Sequence, residues 1–227
     1  DKYSRDFRQT CKLMEMAGIQ RMTLLSGLPE GAEGDKSPNW VTFADLPFLN
    51  ETLQWQWEQR LLPYWREHAK IAGDHGVTLC FEMHGGDMIH NPVTLMRFRE
   101  EIGPVIACNL DVSHLWFQGI EPVEAVRFLG DAIQHVHAKD TYIQPHNLRL
   151  RGHHDASSVA QNGQRPWTFT IPGWGHDVPL EAWVVKTADY WEAITSQRPY
   201  RAPMPLDKAV HVLRGESDSL IPAHIVE

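Results

Sequence analysis

Consecutive short apolar runs of this 227-residue chain each carry, at or near their end, a side chain able to bind a cation. Val77-Thr-Leu-Cys-Phe-Glu-Met83 carries Glu82, Val105-Ile-Ala-Cys-Asn-Leu-Asp111 ends on Asp111, and Ala132-Ile-Gln-His-Val-His137 ends on His137. Strand residues alternate between faces, so Cys80, Glu82 and His84 share a side, as do Asn109 and Asp111, and His135, His137 and Lys139. Two carboxylates and an imidazole make a hard-to-borderline donor set, suited to one divalent ion of Mn²⁺, Mg²⁺, Co²⁺ or Zn²⁺. Taken singly, each has an ordinary role. A strand-end carboxylate can cap the next helix, and a buried histidine is commonly a satisfied core residue. An acid, an acid and a histidine on successive strand ends are explained together by metal binding.

The elements that must position them follow a repeated βα pattern. Residues 5–18 read as a helix with Phe7, Cys11, Leu13, Met14 and Met16 on its apolar side, stopped by Gly18. A strand over 19–25 runs into a loop rich in Gly, Pro and Asp over 26–40. Helix follows over 50–73, where Pro63 either kinks one helix or opens a second. Helices over 92–101 and 121–131 alternate with the three strands above. The polar stretch 141–167 is long enough to predict a lid or site wall. Beyond it, Trp167-Thr-Phe-Thr-Ile171 reads as a strand, and 179–190 and 205–214 read as helices. The pattern predicts a single α/β domain over 1–227, a TIM-type barrel with its chemistry at the C-terminal strand ends.

Composition narrows the partners. Hydrophobic residues are 42% and charged residues 22%, as in an ordinary globular domain. A net charge of −8 disfavours a nucleic-acid partner, whose phosphates call for surplus Lys and Arg. No apolar run approaches the ~18 residues of a membrane span, and the polar opening Asp1-Lys2-Tyr3-Ser4-Arg5 is unlike a signal peptide. Cys11, Cys80 and Cys108 lack CxxC spacing, and two lie in apolar runs, so they read as reduced and buried in a cytoplasmic protein.

Phe81-Glu-Met-His-Gly-Gly-Asp-Met-Ile-His-Asn-Pro92 resembles the fourth strand and loop of the xylose-isomerase-like TIM-barrel sugar phosphate isomerases/epimerases. Asn109-Leu-Asp-Val-Ser-His-Leu-Trp-Phe-Gln-Gly119 and His135-Val-His-Ala-Lys-Asp-Thr141 resemble its next two strand ends. Arg165-Pro-Trp-Thr-Phe, Gly173-Trp-Gly-His-Asp177, Ser26-Gly-Leu-Pro and Asn39-Trp-Val keep the family order. The resemblance implies a metal held by Glu82, Asp111, His137 and a second glutamate. It implies substrate contact by His114, with Lys139 and His176 as further substrate-facing residues. His84, Asp87 and Arg165 read equally as site walls or structural hydrogen-bonders. The implied reaction acts on a ketose, an aldose or a sugar phosphate. The metal polarises its carbonyl, and Glu82 serves as base or acid around an enediolate.

Two departures from that pattern are predicted to matter. The match begins at the family's third strand, which leaves two βα units, roughly 60 residues, unaccounted for. Such a barrel is open on one side or completed by another chain, and a homo-oligomer is one way to cover the edges. Second, Tyr200-Arg201-Ala202 stands where the family's eighth-strand Ile-Glu-His is expected. A one-base shift in reading relates the two, which predicts a local frameshift within 184–204. Otherwise a diverged segment lets Glu192 or Glu181 substitute. The competing functions are a metal-dependent polyol dehydratase and a degenerate barrel fragment without activity. An abasic-site endonuclease is disfavoured by the charge.

Overall fold

The computed structural model describes residues 2–172 and Gly175. They fall into two compact units. One runs to Leu110 and includes Phe128–His135, and the other comprises Asp111–Arg127 with Val136 onward. In chain order the helices are α1 (Lys2–Ala17), α2 (Pro47–Trp55), α3 (Leu62–Asp74), α4 (Pro92–Ile102), α5 (Ser113–Trp116), α6 (Pro122–Leu129) and α7 (Pro145–Arg151). The strands are β1 (Arg21–Leu24), β2 (Thr78–Glu82), β3 (Ile106–Leu110), β4 (Ile133–Val136), β5 (Asp140–Ile143) and β6 (Trp167–Thr170).

In the first unit the strands lie in the order β1-β2-β3-β4. β1 pairs with β2, and β2 with β3, in parallel, with Thr23 opposite Cys80 and Glu82 opposite Asn109. Every residue of β3 is buried, as a parallel strand covered on both faces requires. Phe81 meets Trp65 of α3 edge-on at 4.6 Å and Phe98 of α4 at 5.1 Å. Burying each such ring contributes about 2–3 kcal/mol. α4 opens with a full capping box between Asn91 and Thr94, and Pro92 occupies its first turn.

Pro63 lies in the first turn of α3, but the backbone is helical without a break from Pro47 to Asp74, so it follows a π-helical irregularity within one helical run rather than opening a separate helix. Between α2 and α3 the chain makes a π-helical turn over Gln56–Leu61. Gln56 there is wholly buried. Its Nε2 donates to the carbonyls of Pro29 (3.2 Å), Glu30 (3.1 Å) and Asn39 (2.7 Å), which anchors the loop after β1. Arg60 reinforces it through Glu30 at 2.9 Å.

The second unit departs from expectation over 141–167, which is not a single long loop. It holds most of β5, all of α7 and a 3₁₀ turn at Val159–Gln164. The strand at Trp167 is present, but it pairs antiparallel with β5, with Ile143 opposite Trp167. The β-branched and aromatic run Thr141-Tyr-Ile143 carries the missed strand. Pro145 starts the missed helix, and Gly152, at φ 73°, ends it. The helices predicted at 179–190 and 205–214 lie outside the described residues. So do His176, Glu181, Glu192 and Tyr200-Arg201-Ala202. Among the described residues no helix is long and apolar enough to cross a membrane.

All three cysteines are buried and unpaired. Burial pushes the Cys80 thiol up to about 11 and holds Cys108 further above the ordinary thiol range, with Cys80 and Glu82 adding to the effect. Since the thiolate is the nucleophile, native protein at pH 8 is expected to resist alkylation at Cys80 and Cys108. Modification followed by mass spectrometry should appear only as the chain unfolds in urea. Gln56→Leu removes the amide donor from three carbonyls, of which Pro29's still accepts from the Asn39 amide, and is expected to cost about 2 kcal/mol in urea unfolding. It should also speed proteolysis within 26–40.

Candidate functional site

Glu82 closes β2, and its carboxylate is held from the neighbouring strand. Asn109 Nδ2 donates to Glu82 Oε2 at 3.0 Å, and Asn109 Oδ1 lies 2.9 Å from His135 Nδ1. Glu82, Asn109 and His135 therefore share one face of β2, β3 and β4, as strand alternation requires. The alternation goes no further. β2 ends at Glu82, β3 at Leu110 and β4 at Val136, so His84, Asp111, His137 and Lys139 follow their strands. His84 stands in the next loop with Nδ1 3.6 Å from Asp87 Oδ2. That loop is tied to the one after β1, because Ser26 Oγ accepts from the Ile89 amide at 3.0 Å. The Ser26 carbonyl in turn accepts from Trp65 Nε1 at 3.1 Å.

In the second unit Asp111 is 1% exposed and its two oxygens divide their work. Oδ1 accepts from the Ser113 amide at 3.0 Å and the Ser113 hydroxyl at 2.6 Å. Around Oδ2 stand Lys139 Nζ at 3.1 Å, His114 Nε2 at 3.6 Å and His137 Nδ1 at 4.0 Å. Lys139 Nζ also lies 2.8 Å from His114 Nε2. An ammonium can only donate, so that imidazole nitrogen is the acceptor of the contact. The structure thus brings Asp111, His114, His137 and Lys139 together in this unit.

Residues outside the ligand and substrate-contact candidates complete the surroundings. Phe169 lies under the Lys139 ammonium at 4.1 Å and meets the His114 ring at 4.9 Å. Phe117 stacks on Trp167 at 4.0 Å, and Arg165, which is buried, sits over Trp167 at 4.2 Å. Thr141 Oγ1 donates to the Ser113 carbonyl at 2.7 Å, which ties β5 to α5. The buried Asp140 carboxylate accepts from the amides of Thr141 (2.6 Å) and Gly175 (3.0 Å). A Cβ on Gly175 would come within 2.6 Å of Asp140 Oδ1 and the Thr141 carbonyl, so only glycine fits there. Phe169 had a local signal, since strand alternation puts it with Trp167 and Ile171 on one side of β6. What that side would meet had none.

The donor set passes the chemical test for a divalent cation. Asp111 Oδ2 is buried, yet no donor reaches it with hydrogen-bond geometry. It faces two imidazoles, which can ligate a cation, and the Lys139 ammonium, which cannot and which balances the carboxylate's charge.

The model of the xylose isomerase-like TIM-barrel family matches residues 1–209. The protein YfiH of Bacillus subtilis is 38% identical over 192 residues, covering 80% of this chain and 61% of that protein. The inosose dehydratase of Geobacillus kaustophilus is 27% identical over 172 residues, covering 70% of this chain and 54% of that enzyme. The chain thus spans less than two thirds of either relative. A solved xylose isomerase domain protein from Planctomyces limnophilus superposes with a TM-score of 0.50 at 19% identity. That match covers 96% of this chain and 65% of the other, and it bears on the fold alone.

The charge arrangement around Asp111 makes its own prediction. Lys139→Met leaves a buried carboxylate without its nearest cation and is expected to cost roughly 1–3 kcal/mol in urea unfolding. Lys139→Met combined with Asp111→Asn should recover most of that loss. A double variant as unstable as the sum of the singles would show that the two groups do not interact.

Proposed function

This chain belongs to the xylose isomerase-like TIM-barrel family, and on that premise we propose that it is a divalent-metal-dependent sugar isomerase or epimerase. Glu82, Asp111 and His137 are the residues that would hold the cation. The observation that carries the reading is the division of labour at Asp111. One oxygen is committed to Ser113 and the other is turned toward His137, His114 and Lys139.

When bound, a divalent cation supplies Lewis-acid polarisation of a substrate carbonyl. The remaining steps fall to the chain's own side chains. Glu82 removes the proton from the carbon beside that carbonyl, leaving an enediolate. The Lys139 ammonium would balance negative charge on the enediolate oxygens, and His114 would hydrogen-bond a substrate hydroxyl. Return of the proton to the neighbouring carbon isomerises the sugar, and its return to the opposite face epimerises it. The family supplies the acid for that opposite face from its eighth strand, where this chain reads Tyr200-Arg201-Ala202, outside the described residues.

A second reading has a specific observation in its favour, the 27% identity to an inosose dehydratase. The same abstraction by Glu82 would then be followed by loss of the hydroxyl one carbon further on. The two readings share residues and differ in product.

Calorimetric titration with Mn²⁺ is expected to show one site. His137→Ala should abolish tight binding, and His154→Ala, an exposed residue, should leave it within about threefold. A panel of ketoses and an inosose, each with added Mn²⁺ and followed by NMR, separates the readings. Isomerised sugar supports the first and an unsaturated product the second. Glu82→Gln should lower turnover by roughly 10²–10⁴ in either case. Absence of Mn²⁺ binding, or equal affinity in the two histidine variants, sinks the ligand assignment.

A further inference from the structure

We infer that Asn109 and His135 are positioning residues for Glu82, joined to it by a one-way chain of hydrogen bonds across three adjacent strands. The inference rests on the reading of Glu82 as ligand and base. The Glu82 carboxylate, when ionised, can only accept. Asn109 Nδ2, 3.0 Å from Glu82 Oε2, is therefore the donor. The amide then presents its oxygen in the other direction, where His135 Nδ1 lies at 2.9 Å. An amide oxygen only accepts, so His135 must carry its hydrogen on Nδ1.

Each member fixes the next. Rotating the Asn109 amide by half a turn would set its oxygen against the carboxylate and its NH₂ against an N–H, two repulsive contacts. Asn109 is wholly buried, so water cannot relieve them. Its backbone is equally constrained, because β3 is buried throughout and Asn109 pairs in register with Glu82. The terminal torsion of a glutamate is otherwise broad. Held through Asn109, the Glu82 carboxylate keeps one rotation, the preorganisation that outer partners give a metal-binding or proton-transferring group. His135 itself need not touch substrate. Its part is to keep the amide from turning.

Two readouts on the purified chain test this. In metal-free protein at pH 8, the ring-nitrogen NMR spectrum of His135 should show the Nδ1–H tautomer, and Asn109→Leu should move it toward Nε2–H. In calorimetric titration, His135→Phe should weaken Mn²⁺ binding at least about tenfold. His135→Gln, which restores an N–H donor, should stay within about threefold of the parent. An Nε2–H tautomer in the parent protein overturns the inference, as does a His135→Phe variant that binds Mn²⁺ like the parent. If His135→Phe fails to fold, the tautomer and the Gln variant still decide. Failure of the underlying reading looks different: Glu82→Gln would leave Mn²⁺ affinity unchanged, while the parent tautomer would still report whether the chain of hydrogen bonds exists.

Discussion

A carboxylate as deeply buried as that of Asp111 has to be compensated, and the second unit is arranged around that requirement. Removing an ion from water costs several kcal/mol even after the protein relaxes. Ser113 answers part of it with two hydrogen bonds to one oxygen, and Lys139 answers another part with its charge. The ammonium in turn needs a place to rest. The Phe169 face and the His114 nitrogen provide it. β6 is thereby drawn into the site by a charge located several elements earlier in the chain. The Thr141–Ser113 contact ties β5, the strand β6 pairs with, to the same turn.

The first unit solves a different problem, that of holding long connections over the ends of parallel strands. Its devices are polar side chains committed to backbone groups. Gln56 gathers three carbonyls of the loop after β1, and Ser26 joins that loop to the one after β2. Both side chains are buried and neither carries charge, so they specify geometry without the desolvation cost of an ion pair.

What could be read from the sequence follows from these arrangements. β2, β3 and β4 lie within runs that apolar content and terminal polar residues already marked, and family order assigned Glu82, Asp111 and His137. Strand alternation holds for Glu82, Asn109 and His135, which lie within the strands and share a face. It had no force for His84 or Lys139, which lie past the ladder, where turns and helix starts set direction. β5 was hidden because a four-residue strand next to a proline leaves little periodic signal. The contact of Phe169 with Lys139 depends on which strand β6 pairs with, a tertiary fact with no local trace. Gln56 gave no signal either, being an unremarkable residue in a helical window.

The parallel pairing of β1 with β2 and of β2 with β3 has a kinetic consequence. β2 finds β3 across a single helix, since only α4 and its turns separate Leu79 from Ile106. β1 must find β2 across the loop pinned by Gln56, then α2, the π turn and α3, before Arg21 reaches Thr78. Closing the longer loop carries the larger entropic cost, so folding should nucleate on β2, α4 and β3 and admit β1 late. The amides of β1 would then be the first of this sheet to open in the native state, and destabilising changes in α2 or α3 would speed unfolding more than they slow folding.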